Sequence, residues 1–207
     1  MVRTAFIVGA SGLVGRSCLR ALLECPEYGR VIAAGRRPLG VAHSKLVEGE
    51  PTEAVDDAFC AIGTTIKKAG SREAFRAVDY EIPVRTAERC GARRFVVVSS
   101  VGADARSKNF YLRVKGEMEE AVSALPLEAV HIFRPSILVG DREESRAGEK
   151  VGAMVARALR FALVGGLRRY RPIAAEVVGR AMVVVAVRGE AGRHVYEYGG
   201  IVAMGGR

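Results

Sequence analysis

The 207-residue sequence contains no tryptophan, only three histidines and only four cysteines. No two of the cysteines form a Cys-x-x-Cys pair, which argues against a structural zinc site and predicts free thiols packed mostly in a core: Cys18, Cys25, Cys60 and Cys90. No apolar run reaches the roughly 18 to 20 residues that cross a bilayer. The first ten residues lead directly into a fold motif and do not resemble a signal peptide, so we expect a cytoplasmic location and no membrane partner.

The charge balance is basic, with 32 Lys and Arg residues against 23 Asp and Glu residues and a net charge of +9. The arginines are spread along the chain and form no basic tail. This distribution favours a solvated basic surface, with one or two arginines serving an anionic ligand, over a nucleic-acid partner. Nucleic-acid binding through the basic stretch 157–171 is the weaker alternative, and the bias toward Arg, Ala, Gly and Val favours a GC-rich bacterial source.

Short β-branched runs alternate with longer patterns of helical period. The predicted strands cover residues 4–8, 30–34, 45–47, 58–62, 95–99, 130–133 and 195–198. The predicted helices cover residues 13–23, 71–90, 109–125, 150–164 and 176–187, with Ser71 as a cap of the second and Pro83 as an interruption or kink within it. Apolar strands alternating with helices predict an α/β fold of the Rossmann type, a doubly wound parallel sheet with helices on both faces. We expect one domain over residues 1–207, with a small substrate-side cap at about 140–175.

A glycine-rich loop follows the first predicted strand directly. It reads Gly9-Ala-Ser-Gly12-Leu-Val-Gly15 and lies between a strand and a helix, the context that a dinucleotide-binding loop requires. Gly9 allows the tight turn, Gly12 lets the backbone approach a pyrophosphate, and Gly15 allows close helix packing. The free N–H groups of the helix N-terminus then face the phosphates, and the predicted contacts are Gly9, Ser11, Gly12, Leu13, Val14 and Gly15. The alternative is an ordinary strand-to-helix turn.

The second strand ends in Gly35-Arg36-Arg37 and carries no acidic residue. An NAD site usually has Asp or Glu there, bonded to the ribose 2′-hydroxyl. Two arginines suit a 2′-phosphate instead, so the pair Arg36 and Arg37 predicts NADP(H), unless both lie unused in a surface loop. Small residues after the fourth strand leave room for the cofactor, which adds Ile62, Gly63 and Thr64 to the predicted contacts, while Cys60 is interpreted as core packing.

A candidate catalytic set follows the fifth strand. Ser100 ends that strand, and the next helix carries Tyr111-Leu-Arg-Val-Lys115. A spacing of four places Tyr111 and Lys115 on one face of a helix, where a nearby ammonium favours the phenolate form of a tyrosine. Tyr111 is therefore a candidate acid/base, Lys115 a group that tunes it and holds the nicotinamide ribose, and Ser100 a group that polarises a carbonyl.

With these segments the sequence resembles the short-chain dehydrogenase/reductase superfamily, and more narrowly its atypical Tat-interacting oxidoreductase-like branch. The segments that carry the resemblance are Gly9–Gly15, Gly35–Arg37, Cys60–Thr65, Lys68–Gly70, Ser99–Asp104, Asn109–Glu117, Phe133–Pro135 and Asp141–Arg146. The resemblance implies a Rossmann fold, NADP(H) binding and a Ser100–Tyr111–Lys115 catalytic set, with Pro135 as a further cofactor contact. It places Asp79 where many relatives have an Asn that completes a proton relay, and a relay through an ionised Asp is in doubt because that group cannot donate a hydrogen bond. Arg142 and Arg146 would close over the site or bind an acidic substrate, unless they lie in a solvated loop that forms salt bridges internally.

Two functions remain open from the sequence. The first is an NADP(H)-dependent oxidoreductase that transfers hydride to or from a small carbonyl, alcohol or quinone substrate. The second is an NADPH-binding redox sensor or regulator with little turnover, which would present a surface to a protein partner. The resemblance is also compatible with a homodimer. His131, inside an apolar strand, is interpreted as a core histidine.

Overall fold

A computed structural model describes residues 2–140 and 163–206. Seven parallel strands form one sheet in the order β3-β2-β1-β4-β5-β6-β9. These strands are β1 (Arg3–Val8), β2 (Tyr28–Ala34), β3 (Leu46–Glu48), β4 (Asp57–Cys60), β5 (Arg94–Val98), β6 (Ala129–Phe133) and β9 (Gly192–Tyr196). Two short strands, β7 (Leu138–Val139) and β8 (Ile173–Ala174), pair separately. The predicted doubly wound α/β fold is confirmed.

Helices cover both faces of the sheet. They are α1 (Leu13–Glu24), α2 (Ile66–Ala69), α3 (Arg72–Arg76), α4 (Ile82–Arg89), α5 (Phe110–Ser123), α6 (Ala175–Arg188) and α7 (Tyr198–Gly205), with a 3₁₀ turn at Gly165–Tyr170. Alternation along the strands divides the core: Ile7 packs with α1, α6 and α7, whereas the next residue, Val8, packs with α4 and α5. The central strands β4, β5 and β6 are therefore buried on both sides, whereas the edge strands β3 and β9 are largely exposed.

The second predicted helix changes its geometry in its middle. Ser71 caps α3 as predicted, since its hydroxyl accepts a hydrogen bond from the amide of Ala74 at 3.0 Å. The α-helix is interrupted next to Pro83, as expected, and the interruption is a π-helical turn at Ala77–Glu81. Pro83 occupies the second position of α4, which follows that turn directly. The chain stays helical from 72 to 89, but a proline within a helix lacks the N–H for one backbone hydrogen bond and goes with such a local change of geometry.

The last predicted strand is wrong in its bounds. The strand is Gly192–Tyr196, and Tyr198 begins α7, a helix that the sequence did not predict. The fourth strand ends at Cys60, two residues earlier than expected, although the Ala61 amide still donates a hydrogen bond of 3.0 Å to the Val8 carbonyl of β1. The predicted helix at 150–164 and most of the predicted cap lie outside the described residues. No helix in the described part of the chain is both long enough and apolar enough to span a membrane.

Three helices on one face meet at glycines. A Cβ on Gly179 of α6 would lie 2.5 Å from the backbone nitrogen of Cys18 in α1. A Cβ on Gly205 of α7 would overlap the carbonyl oxygen of Val177 in α6. The helix backbones therefore approach each other closely: α7 packs directly on α6, and α6 packs directly on α1.

A buried ion pair lies at the edge of the sheet where the strands begin. Asp57 accepts hydrogen bonds from Arg94 Nε at 2.6 Å and from the hydroxyl of Tyr28 at 2.8 Å. The Arg3 guanidinium is 3.7 Å from the same carboxylate. Burial and the Asp57 charge raise the pKa of Tyr28, so its hydroxyl stays protonated and acts as a fixed donor. This cluster joins β1, β2, β4 and β5 at the edge where the strands begin, far from the edge where the strands end.

His131 and the cysteines lie as predicted. The His131 ring is buried, and its Nδ1 lies 3.0 Å from the Tyr196 hydroxyl. Three of the cysteines are fully buried and the fourth, Cys25, is half-buried, all as free thiols. Burial raises the pKa of Cys60 to about 11, so this thiol is protonated at neutral pH and behaves as a small apolar side chain.

Candidate active site

The predicted site residues gather at the edge of the sheet where the strands end. The glycine-rich loop leaves β1, Arg36 and Arg37 follow β2, Ile62 to Thr64 follow β4, Ser100 follows β5 and Pro135 follows β6. In an open parallel sheet this edge forms the ligand crevice. The site is therefore assembled by the topology from five separate parts of the chain.

The glycine-rich loop has geometry that only glycine permits at two of its positions. Gly9 has φ +84°, and a Cβ there would lie 2.8 Å from the Ile62 nitrogen. A Cβ at Gly15 would overlap the Gly9 carbonyl oxygen. At Gly12 a Cβ would lie 3.2 Å from the Gly9 oxygen. Gly12 is the N-cap of α1 and supplies no side-chain acceptor, and the first turn carries no acid, so no side-chain cap at Gly12 occupies the first N–H groups of the helix.

The other loop residues contribute mainly through the backbone. The Val14 side chain is buried in the core and Leu13 is half-buried, whereas Ser11 is exposed. This arrangement fits an anionic group above the helix N-terminus, because N–H donors and the helix dipole both favour negative charge there.

Arg36 and Arg37 are exposed on the loop after β2. A hydrogen bond of 3.1 Å from the Leu39 amide to Glu48 folds this loop back toward β3. Neither arginine forms an ion pair among the residues that the structure describes. Both guanidinium groups can therefore reach a ligand at the β2 end of the crevice.

Lys115 is held by a buried ion pair with Asp79. Its Nζ lies 2.8 Å from Asp79 Oδ1, and the two side chains are 3% and 0% exposed. The Asp79 Oδ2 atom accepts a hydrogen bond of 2.9 Å from the Thr64 amide, and Lys115 Nζ reaches the Val98 carbonyl at 3.4 Å. Gly63 borders the pair, since a Cβ there would lie 3.6 Å from Asp79 Oδ1.

This ion pair changes the interpretation of two residues. The sequence suggested an uncompensated Lys115 ammonium beside Tyr111, but the Asp79 carboxylate offsets that charge at close range. Asp79 itself, whose relay role was in doubt, is the counter-ion of Lys115 and an acceptor for the β4 loop. No local signal shows this pairing, because 36 positions separate the two residues.

Tyr111 and Ser100 are half-buried near the same edge. The Tyr111 ring packs against Phe75 with a centroid distance of 5.3 Å. Its hydroxyl makes no hydrogen bond to the rest of the described chain, and the Ser100 hydroxyl makes only a long contact of 3.4 Å with the Val101 carbonyl. Both hydroxyls can therefore interact with a substrate.

Pro135 is buried next to this group, and its carbonyl accepts a hydrogen bond of 3.0 Å from the Val101 amide. The loops after β5 and β6 are thereby joined. The stretch Asp141–Arg146, with Arg142 and Arg146, lies outside the described residues, so its predicted role stays a prediction.

The sequence analysis missed a second buried carboxylate, Glu119. It is 1% exposed and accepts hydrogen bonds from the Ser99 hydroxyl at 2.5 Å and from Arg134 at 2.6 Å. Its position four residues after Lys115 was a usable signal, because that spacing places a carboxylate on the helix face that meets the sheet.

No family model matches the sequence. Among curated proteins, HTATIP2 of Rattus norvegicus is 37% identical over 164 residues, covering 71% of this chain and 67% of that protein. FMP52-1 of Scheffersomyces stipitis is 36% identical over 159 residues, covering 69% of this chain and 70% of that protein. FMP52 of Candida albicans is 32% identical over 205 residues, covering 90% and 89%.

Solved structures share the fold at low identity. Human epimerase family protein SDR39U1, solved with NADPH, matches with a TM-score of 0.63 at 15% identity over 94% of this chain and 74% of that one. A short-chain dehydrogenase/reductase superfamily protein of Agrobacterium tumefaciens, solved with bound NAD, matches with a TM-score of 0.67 at 17% identity over 94% and 77%. These similarities establish the fold.

The prediction of a cytoplasmic location is wrong. It rested on composition and on the lack of a long apolar run, but the fungal FMP52 relatives are named as mitochondrial proteins. Targeting signals are addresses read by receptors, and the composition of a folded domain does not report them. The relatives come from rat and fungi, so the bacterial source stays a prediction. By sequence identity the chain belongs to the family of HTATIP2 and FMP52, and it shares its fold with a short-chain dehydrogenase/reductase superfamily protein.

Proposed function

We propose that this protein is an NADP(H)-dependent oxidoreductase that transfers hydride to or from a small carbonyl, alcohol or quinone substrate. The observation that carries the proposal is the meeting, at one sheet edge, of three groups: a helix N-terminus without a side-chain cap, two arginines that form no ion pair within the described residues, and a tyrosine whose hydroxyl makes no hydrogen bond within them. Each of these groups suits a different part of the reaction.

The residues at the edge fit a dinucleotide. Gly12 and the first N–H groups of α1 suit the pyrophosphate, because among the described residues no side chain caps this helix end and its first turn carries no acid. Arg36 and Arg37 suit a 2′-phosphate, whereas no acid stands at the end of β2 for a free 2′-hydroxyl. Gly63 has no side chain, so a ligand can approach its backbone at the centre of the crevice. Relatives in fold were solved with NADPH or NAD, which supports a nicotinamide cofactor for this chain as well.

The bound nicotinamide would supply or accept the hydride. The Tyr111 hydroxyl would give a proton to the substrate carbonyl oxygen during reduction and take it back during oxidation. The Ser100 hydroxyl would hold the same oxygen and fix its orientation. Lys115 would hold the nicotinamide ribose, and Asp79, whose Oδ1 lies 2.8 Å from Lys115 Nζ, would fix the position of that side chain.

Calorimetric titration of the purified protein with NADPH, and separately with NADH, tests the proposal. We expect micromolar or tighter binding of NADPH, much weaker binding of NADH, and oxidation of NADPH with a panel of quinones, aldehydes and ketones. Equal affinities would contradict the NADP(H) assignment. Tight NADPH binding without turnover on the panel would favour the redox-sensor function, and no binding of either nucleotide would overturn both functions.

A further inference from the structure

We infer that Glu119 is a positioning residue for the candidate active site, an inference that rests on the proposed function. Within the described residues, the Glu119 carboxylate binds Ser99 and Arg134 and lies near Arg193, and it forms no hydrogen bond or ion pair with the predicted cofactor contacts or with Tyr111. It joins the helix that carries Tyr111 and Lys115 to the ends of the strands that carry Ser100 and Pro135.

Both carboxylate oxygens of Glu119 accept hydrogen bonds. Oε1 accepts from the Ser99 hydroxyl at 2.5 Å and from Arg134 Nε at 2.9 Å, and Oε2 accepts from a terminal nitrogen of Arg134 at 2.6 Å. The Arg193 guanidinium of the edge strand β9 is 3.7 Å from Oε2. A buried carboxylate with charge-assisted, forked hydrogen bonds has a strongly fixed orientation. Glu119 therefore joins α5 to β5, β6 and β9.

Side chains from two successive turns of α5 form hydrogen bonds with two successive residues at the end of β5. Lys115 Nζ contacts the Val98 carbonyl at 3.4 Å, and one turn later Glu119 binds the hydroxyl of Ser99. These contacts set the register of the helix along the strand. Because Tyr111 lies one turn before Lys115 and Ser100 directly after Ser99, the same register sets where the two reactive hydroxyls lie relative to each other.

Arg134 extends this control to the neighbouring loop. It precedes Pro135, whose carbonyl holds the Val101 amide at 3.0 Å. Its backbone amide donates at 2.8 Å to the carbonyl of Tyr196 at the end of β9. The hydrogen bonds to Glu119 raise the pKa of Arg134, so the cation persists at every physiological pH. A shift of Glu119 would therefore reach Ser100 by two routes: through Ser99, which precedes it, and through Arg134, Pro135 and Val101, which follows it.

The chain supplies its own matched control. Asp57 is also a buried carboxylate, and it also binds one arginine and one hydroxyl, from Arg94 and Tyr28. It lies at the opposite edge of the same sheet, where no predicted site residue is found. A role in fold stability alone would make the two carboxylates equivalent, whereas a positioning role distinguishes them.

The experiment compares Glu119→Gln with Asp57→Asn in the full chain, using NADPH with a quinone, an aromatic aldehyde and a cyclic ketone. Both changes remove a buried charge and keep a similar shape, so both lower the Tm. We expect Glu119→Gln to lower kcat by about tenfold to hundredfold, because small misplacements of reacting groups cost rates of that order. The KM of the carbonyl substrate and the NADPH affinity should stay within about twofold, since Glu119 contacts neither ligand. Asp57→Asn should leave kcat unchanged.

Ser99→Ala is a milder second variant that removes one donor and leaves the Glu119–Arg134 pair, and it should lower kcat in the same direction. An unchanged kcat in folded Glu119→Gln, or an equal fall in Asp57→Asn, would overturn the inference.

Amide hydrogen exchange separates this inference from the proposed function. If the native protein reduces none of the three substrates, the proposed function fails, and exchange then tests Glu119 alone. Glu119→Gln should speed exchange in residues 99–103 and 110–116, and Asp57→Asn should not. Unchanged exchange in those segments would overturn the inference whether or not the protein turns over substrate.

Discussion

The carboxylate of Asp79 lies 2.8 Å from the ammonium of Lys115, and both groups are buried. The pair joins the helical stretch 72–89 to α5, and through the Thr64 amide it also joins the loop after β4. Each buried charge needs the other, because an ion moved out of water loses its hydration energy, and here only the partner charge makes up for that loss.

Asp79→Asn should therefore destabilise the fold strongly. The substitution leaves the Lys115 ammonium without its counter-charge, and breaking a buried pair in this way costs about 3 kcal/mol. Urea denaturation measures the loss in the free energy of unfolding. The control is Glu117→Gln, which breaks a partly exposed pair with Arg76 and should cost about 1 kcal/mol or less. A similar decrease in the free energy of unfolding for both variants would contradict the larger contribution expected of the buried pair.

The glycine-rich loop predicts two different results for two alanine substitutions. Gly15→Ala should lower the Tm clearly, because its Cβ would overlap the Gly9 carbonyl oxygen. Gly12→Ala should fold with a Tm near that of the native protein and bind NADPH at least about tenfold more weakly, because the methyl group occupies space that a phosphate needs. Calorimetry and thermal denaturation measure the two effects.

Gly199→Ala is the control for these alanines. Its Cβ meets nothing within 4 Å, and the site lies in helix α7, so the change should be neutral or slightly stabilising. Unweakened NADPH binding by Gly12→Ala would remove the phosphate assignment of the loop.

The arginine pair after β2 should discriminate between the two nucleotides. The double variant Arg36→Ala with Arg37→Ala should bind NADPH about ten to a hundred times more weakly, since charge-assisted hydrogen bonds to a phosphate are lost. NADH binding should not change. Arg30→Ala, an exposed arginine nearer the start of the same strand, should affect neither nucleotide. A parallel loss of NADH affinity in the double variant would mean that the arginines contact something other than the 2′-phosphate.

Tyr111→Phe should separate binding from chemistry. The hydroxyl is not used by the described part of the fold, so its removal should leave stability and NADPH affinity intact. Loss of the proton donor should lower turnover by about a hundredfold or more. Tyr80→Phe, on the helical stretch before α4, should retain turnover. Equal rates for native protein and Tyr111→Phe would contradict the acid/base assignment.

The buried His131 predicts an acid-sensitive fold. Burial, and then the neighbouring His194 and Arg94, lower the pKa of His131 to about 4 from 6.5. Protons therefore bind the unfolded chain more readily than the folded one. This contribution to stability is complete above pH 6.5 and is lost as the pH falls toward 4, by about 3 kcal/mol in all.

Urea denaturation at pH 7.5 and 4.5 measures the effect. His131→Gln should show a smaller loss between the two pH values than the native protein, whereas the exposed His43→Gln should show the native loss. An identical pH dependence in His131→Gln would assign the acid sensitivity to other groups.

The sequence predicted most of the sheet because its central strands are buried on both sides. Phe6 and Val8 pack on one face while Ile7 packs on the other, so the buried positions 5–8 of β1 are all apolar and the run is visible without knowledge of the fold. The helix α7 was not visible. Its sequence, Tyr-Gly-Gly-Ile-Val-Ala-Met-Gly, favours helix poorly, and it forms because Gly205 fits closely against α6.

The candidate site was predictable where the signal is local and not where it is distant. The glycines of the loop and the spacing of Tyr111 and Lys115 are read within a few residues. The partner of Lys115 lies 36 positions earlier, and the partners of Glu119 come from three strands. Ion pairs between distant segments leave no periodic pattern, so only the folded chain shows them.

The close contact between α1 and α6 has a consequence for the order of events in folding. Helix α1, which follows the glycine-rich loop, is complete by residue 24, and it packs both on the sheet and on α6, which begins at residue 175. During synthesis the face of α1 that contacts α6 therefore stays uncovered until residues 175–188 have been made. Such a non-local contact slows folding and makes the final packing of the glycine-rich loop and α1 dependent on a segment far later in the chain.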